Sequence, residues 1–133
     1  MTYLIATIMG FVLSFFLTTV YYAVNYKMHV TDFDRSPPLK ELLLAQHLIY
    51  GALLAYIYPK GFGGGRFWAE GAKFGALMGA VMFIPIGLSI RGAWLVPFDF
   101  PFILASAYAV LSSAVIGVAI AKVYDKKLRT ADL

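Results

Sequence analysis

Gln46 and His47 are adjacent polar side chains inside an apolar segment, and their types suit proton transfer, substrate contact or ligation of a cofactor. If the segment begins near Leu39, His47 lies about 12 Å along a helix from that end. The alternative is structural, a hydrogen bond from His47 to a hydroxyl of a neighbouring helix. The candidate polar site therefore includes, besides Gln46 and His47, the hydroxyl residues Ser14, Thr18 and Tyr22.

A pair of histidines could also ligate haem. His29 lies just outside the first apolar segment, so its depth differs from that of His47 by roughly two helical turns. Axial ligands must approach one iron from opposite faces at the same level, and this pair does not suit that arrangement. Haem shared between two copies of the chain through His47 stays an alternative. We expect no bound cofactor and no metal site, and we assign no catalytic residue.

Charged residues near the start of the third apolar segment form a second candidate. Glu70 and Lys73 are three residues apart and share a helix face. Because Trp68 marks the headgroup level beside them, we expect an interfacial ion pair, with a proton- or cation-coupling carboxylate as the alternative. The preceding residues 60–66 are rich in glycine but lack the Gly-Lys-Ser/Thr ending of a nucleotide loop, so a flexible turn is expected.

A third group of charged residues falls in two loops that a compact bundle would bring to the same side. These loops would clamp each other through ion pairs, or would form a small vestibule for a metal or substrate. No spacing among the residues is specific to a metal. The members of this far-side cluster are Asp32, Asp34, Arg35, Arg91 and Asp99.

Composition sets the class of protein that must position these groups. The 133 residues are 61% hydrophobic and 14% charged, and the mean hydropathy is +0.77. A soluble domain carries about 25% charged residues. The absence of cysteine excludes thiolate chemistry and disulfide exchange, and the sequence has no nucleophile or nucleic-acid-binding motif. The net charge of +4 is better explained by membrane topology than by nucleic acid.

Four apolar segments are long enough to cross a bilayer. We predict one membrane domain, residues 1–133, folded as an all-α bundle of four transmembrane helices with spans at about 2–26, 39–58, 69–90 and 102–123. The first segment contains no Lys or Arg before residue 26, so we interpret it as a retained span and not as a cleaved signal. Pro85 should kink the third helix.

Small residues recur every four positions in the spans, which lets helix backbones come close. We expect these stripes to pack the helices of one chain, with contact to another subunit as the alternative. The residues predicted for helix packing are Gly71, Gly75, Gly79, Ala109, Ser113 and Gly117.

Basic residues are unequally divided between the two ends of the spans. One end has Lys60, Arg66 and the basic tail, and the other has fewer Lys and Arg residues. Because positive loops stay in the cytoplasm, we expect both termini to be cytoplasmic, in what we take to be a bacterial inner membrane.

The chain resembles the small multidrug exporters in size and number of spans, but those proteins carry a glutamate inside the first span and this chain has no acid there. No motif in the sequence is specific enough to identify a family. The leading hypothesis is an accessory or assembly component of a membrane complex, whose partners are lipid and either copies of itself or other membrane subunits. The alternatives are a homo-oligomeric transporter of small solutes or ions, and a membrane enzyme or lipid- or cofactor-binding protein.

Overall fold

The computed structural model describes residues 1–29, 39–93 and 98–131. This part of the chain is almost entirely helical, and a short 3₁₀ turn, Tyr58–Lys60, follows the second helix directly. The prediction of an all-α bundle of four helices is confirmed. The helices are α1 (Thr2–His29), α2 (Lys40–Ile57), α3 (Phe67–Ala93) and α4 (Phe100–Ala131).

Each helix contains a stretch that is long and apolar enough to cross a membrane, for which about 20 residues are needed. In hydrocarbon, every backbone N–H and C=O must be bonded within the protein, and a helix achieves this within its own segment. The protein is therefore membrane-embedded, with candidate spans close to the predicted ones: Thr2–Asn25, Lys40–Lys60, Phe67–Ala93 and Phe100–Asp125.

The ends of two helices have local causes. Asp99 caps α4, because its carboxylate accepts a hydrogen bond from the backbone N–H of Phe102 at 3.1 Å. Pro101 lies in the first turn of α4, where backbone N–H groups have no acceptor within the helix, so the missing N–H of proline costs no hydrogen bond. Before α3, Gly64 has φ +79°, a left-handed conformation that glycine adopts without steric cost.

The helices form two hairpins, α1 with α2 and α3 with α4, and the hairpins join mainly where α1 meets α4. In the α3–α4 hairpin the backbones touch, since a Cβ atom on Gly75 would overlap the carbonyl group of Ser113. Gly71 meets Gly117 in the same way, and Gly79 lies against Ser113 and Ala109. The residues predicted for packing thus lie along this contact, inside one chain.

The α1–α2 contact is equally close, because a Cβ atom on Gly51 would lie 2.5 Å from the backbone nitrogen of Phe11. The densest packing is at one end of the bundle, which we call the terminal half: the beginnings of α1 and α3 with the ends of α2 and α4. A cluster of buried side chains fills it, including Leu54, Tyr58, Ile116, Ile120 and Tyr124.

The opposite end, the distal half, is packed differently. The buried residues of α3 are Gly71, Gly75 and Gly79, so its distal half contributes none. There the buried ring of Phe102 lies against Gly87 and spaces the backbones of α3 and α4. Glycines at one end and a large ring at the other explain why the bundle is dense in one half and open in the other.

Candidate functional site

The distal half contains a cavity of about 530 Å³, and all four helices contribute to its wall. Small-molecule sites in proteins have volumes of about 300–1,000 Å³. The five residues of the candidate polar site, which come from α1 and α2, all line this cavity: Ser14, Thr18, Tyr22, Gln46 and His47.

Ser14 and His47 form the first polar pair of the wall. Both side chains are buried, and Ser14 Oγ lies 2.5 Å from His47 Nδ1. Gln46 Nε2 lies 3.4 Å from His47 Nε2, and because an amide nitrogen only donates, we assign the ring proton of a neutral His47 to Nδ1. His47 then donates to Ser14 Oγ. The ring of Phe15 meets His47 edge-on at 5.7 Å between centroids.

Tyr50 and Ser113 form the second pair. Tyr50 Oη lies 2.6 Å from Ser113 Oγ, and both residues are buried. Tyr50 is three residues after His47, so both side chains lie on the same side of α2. The pair joins α2 to α4 where the cavity meets the packed terminal half. Ser113 also lies against the α3 glycine stripe, so three helices converge on this one hydroxyl.

Two tyrosines close the seam between α1 and α4. Tyr108 Oη donates a hydrogen bond to the carbonyl oxygen of Leu17 at 2.8 Å. The rings of Tyr108 and Tyr21 stack with their centroids 4.5 Å apart. Both tyrosines line the cavity, so this part of the wall is aromatic.

A charged pair lies at the outer end of the cavity. Arg91 and Asp99 approach to 3.9 Å, and the Arg91 guanidinium lies 4.0 Å from the centroid of the Phe102 ring. Arg91 Nη1 also donates to the carbonyl oxygen of Gly87 at 3.4 Å. The guanidinium is thus fixed over an aromatic face beside the carboxylate that caps α4.

The cavity opens sideways between α2 and α3, which hardly touch. Phe83, Ile86 and Ile90 of α3 line the cavity and are also exposed, by 44–59% of their surface. Gln46 of α2 is likewise both lining and exposed. At the inner end, the rings of Tyr50 and Phe83 meet at 6.4 Å between centroids and connect the two helices. The opening is therefore lined mainly by apolar side chains and faces the region that lipid occupies.

Only two of the five residues of the far-side cluster belong to the described part of the chain. Arg91 and Asp99 are brought together, whereas Asp32, Asp34 and Arg35 lie outside the described residues.

The Glu70–Lys73 ion pair that the spacing suggested does not form. The Glu70 carboxylate instead lies against the preceding turn, where a Cβ atom on Gly65 would be 2.6 Å from Glu70 Oε1. Lys73 is exposed. The turn before α3 thus draws the carboxylate away from the helix face that it would share with Lys73.

Sequence reasoning missed the Tyr50–Ser113 pair and the role of Tyr108. The four-residue period assigns Ser113 only to the packing stripe, and no periodic pattern distinguishes a packing serine from one that hydrogen-bonds. Tyr50 could have been found, because it follows Gln46 and His47 by one helical turn and so shares their side of α2.

Among the described residues, no three His, Asp or Glu side chains lie together in a way that could hold a metal ion. The wall provides hydroxyl, amide and imidazole groups beside aromatic and aliphatic surface, an arrangement that suits reversible binding of a molecule with one polar end. No protein-family model, curated protein or solved structure matches the chain.

Proposed function

We propose that the protein binds a small amphipathic molecule of the bilayer in the distal cavity, without a chemical reaction. The observation that carries the proposal is the cavity of about 530 Å³ with hydrogen-bonded polar pairs on its inner wall and an apolar opening between α2 and α3. Polar groups inside a membrane are costly to bury and are commonly functional. This is the lipid-binding alternative of the sequence interpretation.

The packed terminal half favours binding over transport. A transport path must open to both sides of the membrane, and Leu54 and Ile120 of the terminal half, which do not line the cavity, are fully buried. The packed terminal half therefore closes the bundle on that side of the cavity. Transport of a solute by a homo-oligomer would need a second arrangement of these helices and remains the less supported proposal.

The small-residue stripes give no support to a partner surface, because Gly71, Gly75 and Gly79 are covered by α4 of the same chain. An accessory role in a membrane complex stays a proposal, in which the bound molecule would be held for another protein. For location we propose a bacterial inner membrane with both termini cytoplasmic, supported by the excess of Lys and Arg at the terminal half. The cavity would then lie in the outer leaflet.

The test is to fill the cavity and measure what the protein carries out of the membrane. Ala105 lines the cavity, and Ala107 on the same helix is exposed. Ala105→Trp places an indole in the cavity, whereas Ala107→Trp places the same group on the lipid-facing surface as a matched control. Native mass spectrometry of each protein, released from membranes in mild detergent, measures the bound molecules.

We expect the wild type and Ala107→Trp to retain a bound molecule, and the amount retained by Ala105→Trp to be at least about tenfold lower. Circular dichroism confirms that both variants keep their helices. The proposal is wrong if nothing is retained by the wild type, or if Ala105→Trp retains as much as Ala107→Trp.

A further inference from the structure

From the donors on the cavity wall we infer the chemical class of the molecule: an uncharged lipid whose head carries a carbonyl or hydroxyl oxygen that accepts hydrogen bonds. The inference rests on the proposed function, since it concerns the occupant of the same cavity. It follows from three features of the wall, namely its spare donor hydrogens, the charge of its inner part and the nature of its opening.

The spare hydrogens come from the two polar pairs. Ser14 Oγ accepts from His47 and makes no second hydrogen bond within the described residues, so its own hydrogen has no acceptor there. In the other pair, the hydroxyls of Tyr50 and Ser113 supply two hydrogens for a single bond, and one of them is likewise left without an acceptor in the described part of the chain. A buried donor without an acceptor costs about 1–3 kcal/mol. A ligand oxygen would remove that cost.

The charge of the inner wall excludes an ionic head. Ser14, His47, Tyr50 and Ser113 surround the inner part of the cavity, and none of them carries a formal charge when His47 is neutral. Moving an ion into such an environment is far more costly than moving a carbonyl or hydroxyl group. Arg91 is the cation among the described lining residues, and it lies at the outer end beside Asp99.

The opening determines what is attached to the head. Phe83, Ile86 and Ile90 present apolar surface both to the cavity and to the outside of the bundle. A hydrocarbon chain that leaves through this opening stays in contact with apolar groups along its whole path. The volume of about 530 Å³ suits a head group with the first part of a chain, while the rest of the chain lies in the bilayer.

Photolabelling in liposomes tests the inference with probes that differ only in the head. Each probe has the same alkyl chain with a diazirine near the head, and the heads are a glycerol monoester, a benzoquinone, a trimethylammonium, a sulfonate and a plain methyl group. Peptide mass spectrometry then measures labelling of cavity residues in the wild type, Ala105→Trp and Ala107→Trp. The glycerol and quinone probes separate the two natural sources of such a head.

The inference expects at least one uncharged polar probe to label the cavity at least about fivefold more than the methyl, sulfonate and trimethylammonium probes. Ala105→Trp removes this labelling and Ala107→Trp keeps it. Ser113→Ala lowers the preference for the polar head, whereas Ser89→Ala, at an exposed serine of α3, does not.

Preferential labelling by a charged probe, or equal labelling by the methyl probe, overturns the inferred head group and leaves the proposed binding function intact. If no probe labels the cavity of the wild type more than that of Ala105→Trp, both proposals are overturned. The two proposals therefore fail in distinguishable ways.

Discussion

Replacement of Gly75 by alanine tests whether the glycine stripe of α3 determines the packing of the bundle. A Cβ atom at this position would lie 2.7 Å from the carbonyl carbon of Ser113 and 2.9 Å from Cα of Ala114, whereas ordinary contact begins at 3.4 Å. The carbonyl oxygen of Ser113 would be nearer still, so relief requires the two helices to separate by more than about 0.7 Å, the difference between 2.7 and 3.4 Å. Overpacking of this kind costs about 1–3 kcal/mol.

The matched control is Gly92→Ala in the same helix, where an added Cβ atom has no neighbour within 4 Å among the described residues. Alanine is favoured over glycine inside a helix by up to about 1 kcal/mol, so the control should leave stability unchanged or raise it. Gly75→Ala gains the same helix propensity, so we expect its free energy of unfolding to be lower than that of Gly92→Ala by the overpacking cost alone, about 1–3 kcal/mol.

Unfolding in mixed micelles with increasing fractions of sodium dodecyl sulfate, followed by circular dichroism, measures this difference. Equal stability of the two variants, or a more stable Gly75→Ala, would refute the conclusion that α3 and α4 are in backbone contact. A difference in the expected direction also locates the contact at the glycine half of α3, because Gly92 lies in its distal half.

Two further predictions concern single hydroxyl and carboxyl groups, measured by the same unfolding assay. Tyr124→Phe should lower the free energy of unfolding by about 0.5–1.5 kcal/mol, because Tyr124 Oη donates a hydrogen bond to the carbonyl oxygen of Ala55 at 2.9 Å. Tyr58→Phe should not lower it, since the buried Tyr58 hydroxyl has no hydrogen-bond partner among the described residues. The reverse order of the two variants would contradict this. Asp99→Ala should lower the free energy of unfolding by about 0.5–2 kcal/mol through loss of the α4 cap. Asp99→Asn should retain most of the stability, because asparagine caps a helix as well as aspartate does. Equal losses of stability in the two variants would instead assign the effect to the ion pair with Arg91.

The sequence predicts the helices well because bilayer thickness and backbone hydrogen bonding leave few other structures for long apolar segments. The sequence does not predict which small-residue stripe packs against which other stripe. Gly75 and Ser113 belong to stripes with the same four-residue period, and the period alone does not pair them. The spacing of α3 from α4 at Phe102 and Gly87 depends on one ring and one glycine that come close only in the folded bundle.

The polar wall was only partly predictable for a related reason. Gln46 and His47 stand out because polar side chains are rare inside apolar spans. The second polar pair, Tyr50 and Ser113, joins residues that are 63 positions apart. It can be identified only once the order of the helices around the bundle is known. The opening between α2 and α3 is a consequence of that same order and has no local signature in either helix.

A crystal structure of the protein grown from a lipid mesophase tests the central claim, that the distal cavity is a lipid-binding site, most directly. The account predicts continuous density that begins beside Ser14, Tyr50 and Ser113 and leaves the bundle between α2 and α3. A distal half in which α2 packs against α3 without a cavity would contradict it, as would a cavity that holds ordered water alone.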